Sequence, residues 1–314
     1  MIKKYLYRLL ILTLVISSAY GLGRLYFRLT GGFSIKNITS DFAYNSEWDV
    51  RPLIGTEKEE LNRATNQPYY YLGKGCQSYV FLSHDKQYVI KFFKYQRYRL
   101  LPWLAYFPPL PAIVKYRDEK LNKKWNKLDG FVKSWKTAFE NLKPETGLLY
   151  VHLNKTKDLN KQLTIFDKIG KSHLIDLDQM EFCIQKSAEM LCTALLQLKE
   201  KNDHDEAQAL ILRLLNLIVS EYHRGFADND HALMQNTGVV KGEPIHIDVG
   251  QFVKDEKFKD PLVFHQELYT KTFKFKIWLL EEYPQMAIYL ESQLRDIIGP
   301  QYEMMKPKFR VRGL

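Results

Sequence analysis

The sequence predicts an α+β chain of two lobes behind an N-terminal hydrophobic helix. Three observations predict it. A strand-rich stretch precedes a helix-rich one, which segregates the two kinds of element. Residues 1–28 contain an uncharged apolar run. The composition, 46% hydrophobic and 26% charged over 314 residues, is that of a folded chain able to bury a large core.

The elements follow in order. Lys3 and Lys4 precede the apolar run 9–23, whose fifteen residues span about 22 Å as a helix, against ~30 Å of hydrocarbon. Arg8 and Arg24 would snorkel, and Tyr5, Tyr7, Tyr20 and Tyr26 suit the two interfaces. Residues 1–28 therefore read as a membrane anchor. A cleaved signal is the alternative, because Ser17 and Ala19 supply small residues for cleavage. A soluble helix would need a polar face, and none is visible. Basic residues flank the run on both sides, so orientation stays open.

Residues 29–66 are polar and read as a linker that becomes a docked lead-in. Strands are expected around 69–72, 78–83 and 87–93, separated by turns at 73–75 and 84–86. Residues 100–114 hold Pro102, Pro108, Pro109 and Pro111 and no charge, which forbids a regular helix there. If exposed, Leu100, Leu101, Trp103, Leu104, Tyr106, Phe107 and Leu110 would form a partner or membrane patch. A proline-rich wrap over the small lobe is the plainer expectation.

A long helix over 115–142 follows, with a break expected at Gly130 and an apolar stripe including Trp125, Leu128, Phe131, Val132, Trp135 and Phe139. Strands are expected over 148–153, 163–166 and 173–177, then a short apolar connector at 182–184. Helical spacing returns at Ala188, Leu191, Leu195 and Leu198, and again from Leu210 to Val219, closed by Gly225 as a cap. A hairpin turns at 241–244, and two helices fill 262–283 and 284–298.

The charge is +10 and clustered. Residues 115–142 carry eight basic residues against four acidic, and the tail carries Lys306, Lys308, Arg310 and Arg312. Such blocks meet phosphorylated ligands or anionic lipid, or are solvated helix faces. Nucleic acid is not expected, since no recognised binding motif accompanies them. Cys76, Cys183 and Cys192 are too scattered for a disulfide framework, and no CxxC or HExxH points to a transition metal.

Three motifs carry chemistry. The first is Gly73-Lys74-Gly75-Cys76-Gln77-Ser78-Tyr79-Val80, two glycines and a serine in a turn where backbone amides can approach phosphate. It lacks the Gly-Lys-Ser/Thr of a Walker loop. The second is Lys91, which shares a strand face with Val89 and Phe93 and so needs an anionic partner. The third is Asp228-Asn229-Asp230, then Gln235-Asn236, then Asp248-Val249-Gly250 after an apolar strand. Aspartate and amide oxygens suit Mg2+.

In order and spacing these motifs resemble the protein-kinase-like superfamily over about residues 67–252. The resemblance implies a bilobal fold, with an N-lobe at 67–186, a C-lobe at 187–300 and a basic tail at 301–314. It implies that Gly73, Gly75 and Ser78 cover the ATP phosphates and that Lys91 contacts them. A helix glutamate would pair with Lys91, Glu119 being the first candidate and Glu140 the second. Residues 182–185 would be the hinge. Asp230 would be the catalytic base, with Asp228 competing for the role. Asp248 would bind Mg2+ with either Asn236 or Gln235.

The chain departs from the eukaryotic-type pattern. Ala227 and Asn229 surround the two acids where His-Arg-Asp is usual, Val249 replaces a phenylalanine, and only 66 residues follow Asp248. The expectation is a compact member acting on a hydroxyl acceptor: a small molecule, a sugar, a lipid-linked glycan or a protein. The alternatives are a pseudokinase scaffold of the same fold and a basic membrane-tethered binding module without nucleotide. An active enzyme needs ATP, so its catalytic domain should face the cytosol. His246 is expected to be a strand residue.

Overall fold

The structure is a computed structural model and describes residues 2–100, 104 and 110–309. It begins with α1 (Ile2–Thr30), 29 residues or about 43 Å at 1.5 Å per residue. The helix is longer than its apolar centre because Tyr and Arg residues on both flanks keep the helical spacing. Residues 3–29 are exposed. By length and composition the stretch Lys3–Thr30 can cross a membrane.

The lead-in is packed. Phe33, Ile38 of α2 (Ile35–Ile38) and Ala64 of α3 (Thr56–Thr65) are buried under one face of the N-lobe sheet. Trp48 and Leu53 are buried on the other face. Among the described residues no free linker separates α1 from the lobe.

The strands β1 (Tyr69–Lys74), β2 (Ser78–Ser83) and β3 (Tyr88–Phe93) form an antiparallel meander. Alternation along β2 buries Tyr79, Phe81 and Ser83. β3 is buried at every position because both its faces are covered. The helix α4 (Pro111–Asn141) covers one of them. It starts at Pro111, four residues earlier than expected, because proline is tolerated in a first helical turn. It also runs unbroken through Gly130. Leu128, Phe131, Val132, Trp135 and Phe139 lie on one face of the helix and bury in the same cluster as Phe93. Each large apolar side chain so buried contributes about 1.5–3 kcal/mol. Of the apolar residues in 100–114, Leu104 is buried and Leu110 exposed. Leu101, Trp103, Tyr106 and Phe107 lie outside the described residues.

A short helix, α5 (Lys143–Thr146), leads to β4 (Leu148–His152), then to the hairpin β5 (Gln162–Phe166) and β6 (Ser172–Asp176), then to β7 (Phe182–Lys186). Among the described residues the sheet order is β4-β7-β3-β2-β1-β5-β6. β5 joins β1 in parallel and the other neighbours pair antiparallel. The segment 182–185, expected as a hinge, is thus a strand between β3 and β4. Three apolar residues, Phe182, Cys183 and Ile184, cannot be told from a connector by pattern, and pairing on both sides makes them a strand. The passage between lobes runs through Ser187 and Ala188 into β8 (Glu189–Met190).

The second lobe holds α6 (Leu191–Glu200), α7 (His204–His223), β9 (Phe226–Asp228), α8 (Leu233–Asn236), β10 (Thr237–Val240), β11 (Glu243–His246), β12 (Phe252–Lys254), α9 (Pro261–Glu282) and α10 (Pro284–Ile298). Asp203 caps α7, and Asp260 caps α9 ahead of Pro261. Leu210, Leu214 and Ile218 pack on Leu268, Phe275 and Leu279 of α9 and Leu290 of α10. Tyr302 is buried in the same core. Gly225, at φ +79, ends α7 in the left-handed conformation that favours glycine. Lys241 and Gly242, both at positive φ, turn the β10–β11 hairpin.

Candidate functional site

Four contacts between the lobes converge on residues 246–250. Lys91, on the α4 face of β3, donates from Nζ to the carbonyl of Ile247, which precedes Asp248. Gln185 of β7 donates to the carbonyl of His246 at 2.7 Å. Ser134 of α4 donates to the carbonyl of Val249. Gln77, in the glycine-containing turn, lies against Gly250, where an added Cβ would clash with its Oε1. Sheet, helix and turn of the N-lobe therefore all bear on residues 246–250.

The strand and hairpin order, the helix after β3, and Lys91 over the residue before Asp248 together decide the architecture. The fold is bilobal, a β-rich lobe followed by a helical one.

Lys91 is 8% exposed. Its second partner is the side-chain oxygen of Gln185, at 2.8 Å, and the ring of Trp135 lies 5.7 Å from Nζ. The expected Lys91–glutamate pair does not form. Glu119 sits on the exposed face of α4, and Glu140 accepts from the backbone of Arg51. The α4 residues that face Lys91 are aromatic and apolar, so the polar partner comes from the neighbouring strand.

The glycine-containing turn is held from beneath. Lys94 donates from Nζ to the carbonyl of Gly75 and lies 4.5 Å from the Tyr79 ring centre. Arg97 donates to the carbonyl of Cys76 at 2.6 Å. Burial, then the nearby charges of Lys74 and Arg97, lower the Lys94 ammonium to about 8. A Cβ on Gly73 or Gly75 would meet nothing within 4 Å, so both positions are open above the turn. Ser78 begins β2, and its carbonyl accepts from the Gly75 amide at 3.0 Å.

The two acids of the 228–230 loop occupy different environments. Asp228 is buried at the end of β9, with its carboxylate 3.0 Å from Nζ of Lys271 on α9. Asp230 is half-buried. It accepts from the Ala232 amide at 3.1 Å and from the Gln251 side chain at 3.0 Å. Lys271 also donates to the carbonyl of Asp230 at 3.2 Å, so one ammonium fixes the whole turn.

The two amides also part. Gln235 is exposed, whereas Asn236 is 8% exposed and its carbonyl accepts from the Ile247 amide at 2.8 Å. Asp248 is half-buried, and its Oδ1 accepts from the Gly250 amide at 3.2 Å. His246 is buried, with Nε2 2.8 Å from Glu221 of α7, as befits a strand residue.

Sequence reasoning missed Gln185, Lys271, Lys94 and Gln251. A glutamine within an apolar strand was a usable signal for Gln185. Lys271 lies 43 residues from Asp228 on a separate helix, and no local pattern connects them.

No protein-family model matches the sequence, and no curated protein is detectably similar to it. Among the solved structures similar to the chain are two aminoglycoside phosphotransferases. One is aminoglycoside phosphotransferase APH(2'')-Ib bound to ADP, at 14% identity and TM-score 0.23, covering 81% of this chain and 93% of that one. The other is the ternary complex of APH(2'')-IIa with streptomycin and ATP, at 16% identity and TM-score 0.23, covering 83% of this chain and 97% of that one.

Proposed function

We propose that the chain is an ATP-dependent phosphotransferase acting on a hydroxyl acceptor. The observation that carries this is the placement of Lys91 over the residue before Asp248, beneath an open glycine-containing turn. A cation and a carboxylate then lie near an open turn where a triphosphate would lie.

The residues take roles accordingly. Backbone amides near Gly73, Gly75 and Ser78 cover the phosphates. Lys91 offsets their charge. Asp230 orients the acceptor hydroxyl and takes its proton as the oxygen attacks the γ-phosphorus. The new O–P bond forms as the bond to the β-phosphate oxygen breaks, and ADP leaves. Asp228 is not needed as a base, because Lys271 already holds it as a buried ion pair.

The oxygen donors fit Mg2+. Asp248 is half-buried beside Lys91's carbonyl partner, and Asn236 is tied to the same strand end. When bound, the metal would neutralise developing phosphate charge. The helix α1 fits an anchor that holds the enzyme at a membrane with its catalytic lobes in the cytosol.

One observation favours the second reading, a pseudokinase. Lys91 has no carboxylate partner among the described residues and spends its hydrogen bonds on Gln185 and Ile247.

The test is a thermal melt of the full chain in neutral detergent with and without Mg2+–ATP. Nucleotide at about 100 times its dissociation constant should add ~2.7 kcal/mol. The shift should vanish in Lys91→Ala and in Asp248→Asn. A shift accompanied by phosphate transfer that Asp230→Asn abolishes supports the enzyme. A shift without transfer supports the scaffold. No shift in folded wild type overturns the enzyme and leaves a scaffold that binds no nucleotide.

A further inference from the structure

A basic cavity adjoins the site on the α4 side. It measures about 650 Å³. Its outer wall is one face of α4, carrying Lys120, Lys123, Lys124 and Lys127. Arg97 closes it from the segment after β3. Its inner end reaches Gln77, Gly250 and Gln251. Gln251 is the residue that donates to Asp230, so the cavity opens onto the acceptor side of the site.

Two features separate this from an ordinary solvated helix face. No described residue lining the cavity carries a carboxylate. Elsewhere α4 pairs its charges, Arg117 with Asp118 and Lys133 with Asp129, yet among the described residues the four lysines form no ion pair. Their spacing of three and four residues stacks like charges on one helical face, which disfavours the helix unless an anion neutralises them. Lys124 shows the strain. Its ammonium donates to the carbonyl of Arg97 at 2.6 Å. Partial burial, then Lys127, Arg97 and Lys120, lower its pKa.

Resting on the phosphotransferase reading, we infer that this cavity receives an acceptor that already carries phosphate. Lysine and arginine there would bind the existing phosphate and present a neighbouring hydroxyl to Asp230. The shared chemistry is a phosphate monoester or pyrophosphate, either free or on a lipid head group.

The test uses the full chain in neutral detergent micelles, with the nucleotide site filled by Mg2+ and a non-hydrolysable ATP analogue. Inorganic pyrophosphate is titrated by calorimetry into wild type, the triple variant Lys123→Gln, Lys124→Gln, Lys127→Gln, and the matching triple arginine variant. A second arm replaces pyrophosphate with micelles containing phosphatidic acid or, as control, phosphatidylcholine.

Affinity should fall about tenfold or more in the glutamine variant and persist in the arginine variant. Binding of pyrophosphate points to a free acceptor, and binding of phosphatidic acid alone to a membrane-borne one. Equal affinity in wild type and glutamine variant overturns the inference, as does no binding of either probe to folded wild type. Tighter binding of a short oligonucleotide than of either probe overturns it in favour of nucleic acid. If the ATP analogue fails to bind while pyrophosphate binding remains lysine-dependent, the anion cavity stands and the phosphotransfer reading falls.

Discussion

Lys271 and Asp228 form an ion pair at 3.0 Å, with side chains 3% and 2% exposed. The pair anchors the turn that carries Asp230. Removing one partner strands a buried charge, which costs about 3–5 kcal/mol. Lys271→Met should lose that much in urea unfolding. Lys271→Met with Asp228→Leu should recover a large part of it. If the losses of Lys271→Met and Asp228→Leu simply add in the double variant, the charges are not coupled.

How much of this was legible in the sequence differs by element. The β1–β3 meander and α7, α9 and α10 follow from alternation and helical spacing, since each buries one continuous face. The roles of the two loop acids were not legible, because Lys271 selects Asp228 from another helix. Nor was the partner of Lys91. No helix glutamate reaches Lys91 among the described residues, because Trp135 fills that side and Gln185 supplies the oxygen from the adjacent strand. The strand β7 was hidden for a simpler reason: a short apolar run has no readable period.

Lys94 makes stability depend on pH. Its ammonium is lowered to about 8 in the folded chain, against about 10.4 unfolded. Between those values the unfolded chain binds more protons, so stability rises with pH. Wild type should gain stability relative to Lys94→Met as pH goes from about 8 to about 10. Urea unfolding of both proteins at several pH values measures the difference. A flat difference would contradict the burial of this charge.

Two glycines should respond unequally to alanine. At Gly238 a Cβ would meet Ala188 Cβ at 2.6 Å, Ile247 Cγ2 at 2.9 Å and the Glu189 carbonyl at 3.1 Å. These groups belong to the interlobe passage and the strand end, and they cannot yield cheaply. Gly238→Ala should cost about 1–3 kcal/mol. At Gly250 the clash is with the far end of Gln77, which can swing away. Gly250→Ala should cost less, and Gln77→Ser should relieve it. Paired denaturation curves decide the order.

The cysteines should alkylate in a set sequence. Cys76 is exposed at the tip of the glycine-containing turn, while Cys183 is buried beside Lys91 with its thiol pushed up to about 12 by burial. Maleimide should label Cys76 first and leave Cys183 unlabelled in the folded chain. Mg2+–ATP should slow the labelling of Cys76 if the turn covers phosphates. Peptide mass mapping reads both results.

The junction at the end of α1 has a mechanical consequence. Gly31 accepts from the Lys74 ammonium at 2.6 Å, Gly32 accepts from the Tyr79 hydroxyl, and Lys168 donates to the Arg28 carbonyl at 3.1 Å. The helix is therefore a stalk welded to the lobe that holds Lys91, with no leash between them. A leashed body sweeps a hemisphere and can collect molecules from bulk solution. With α1 set in a bilayer, as proposed, a welded body would work at a single height and tilt, so the reach of its cleft would be set by where the stalk stops.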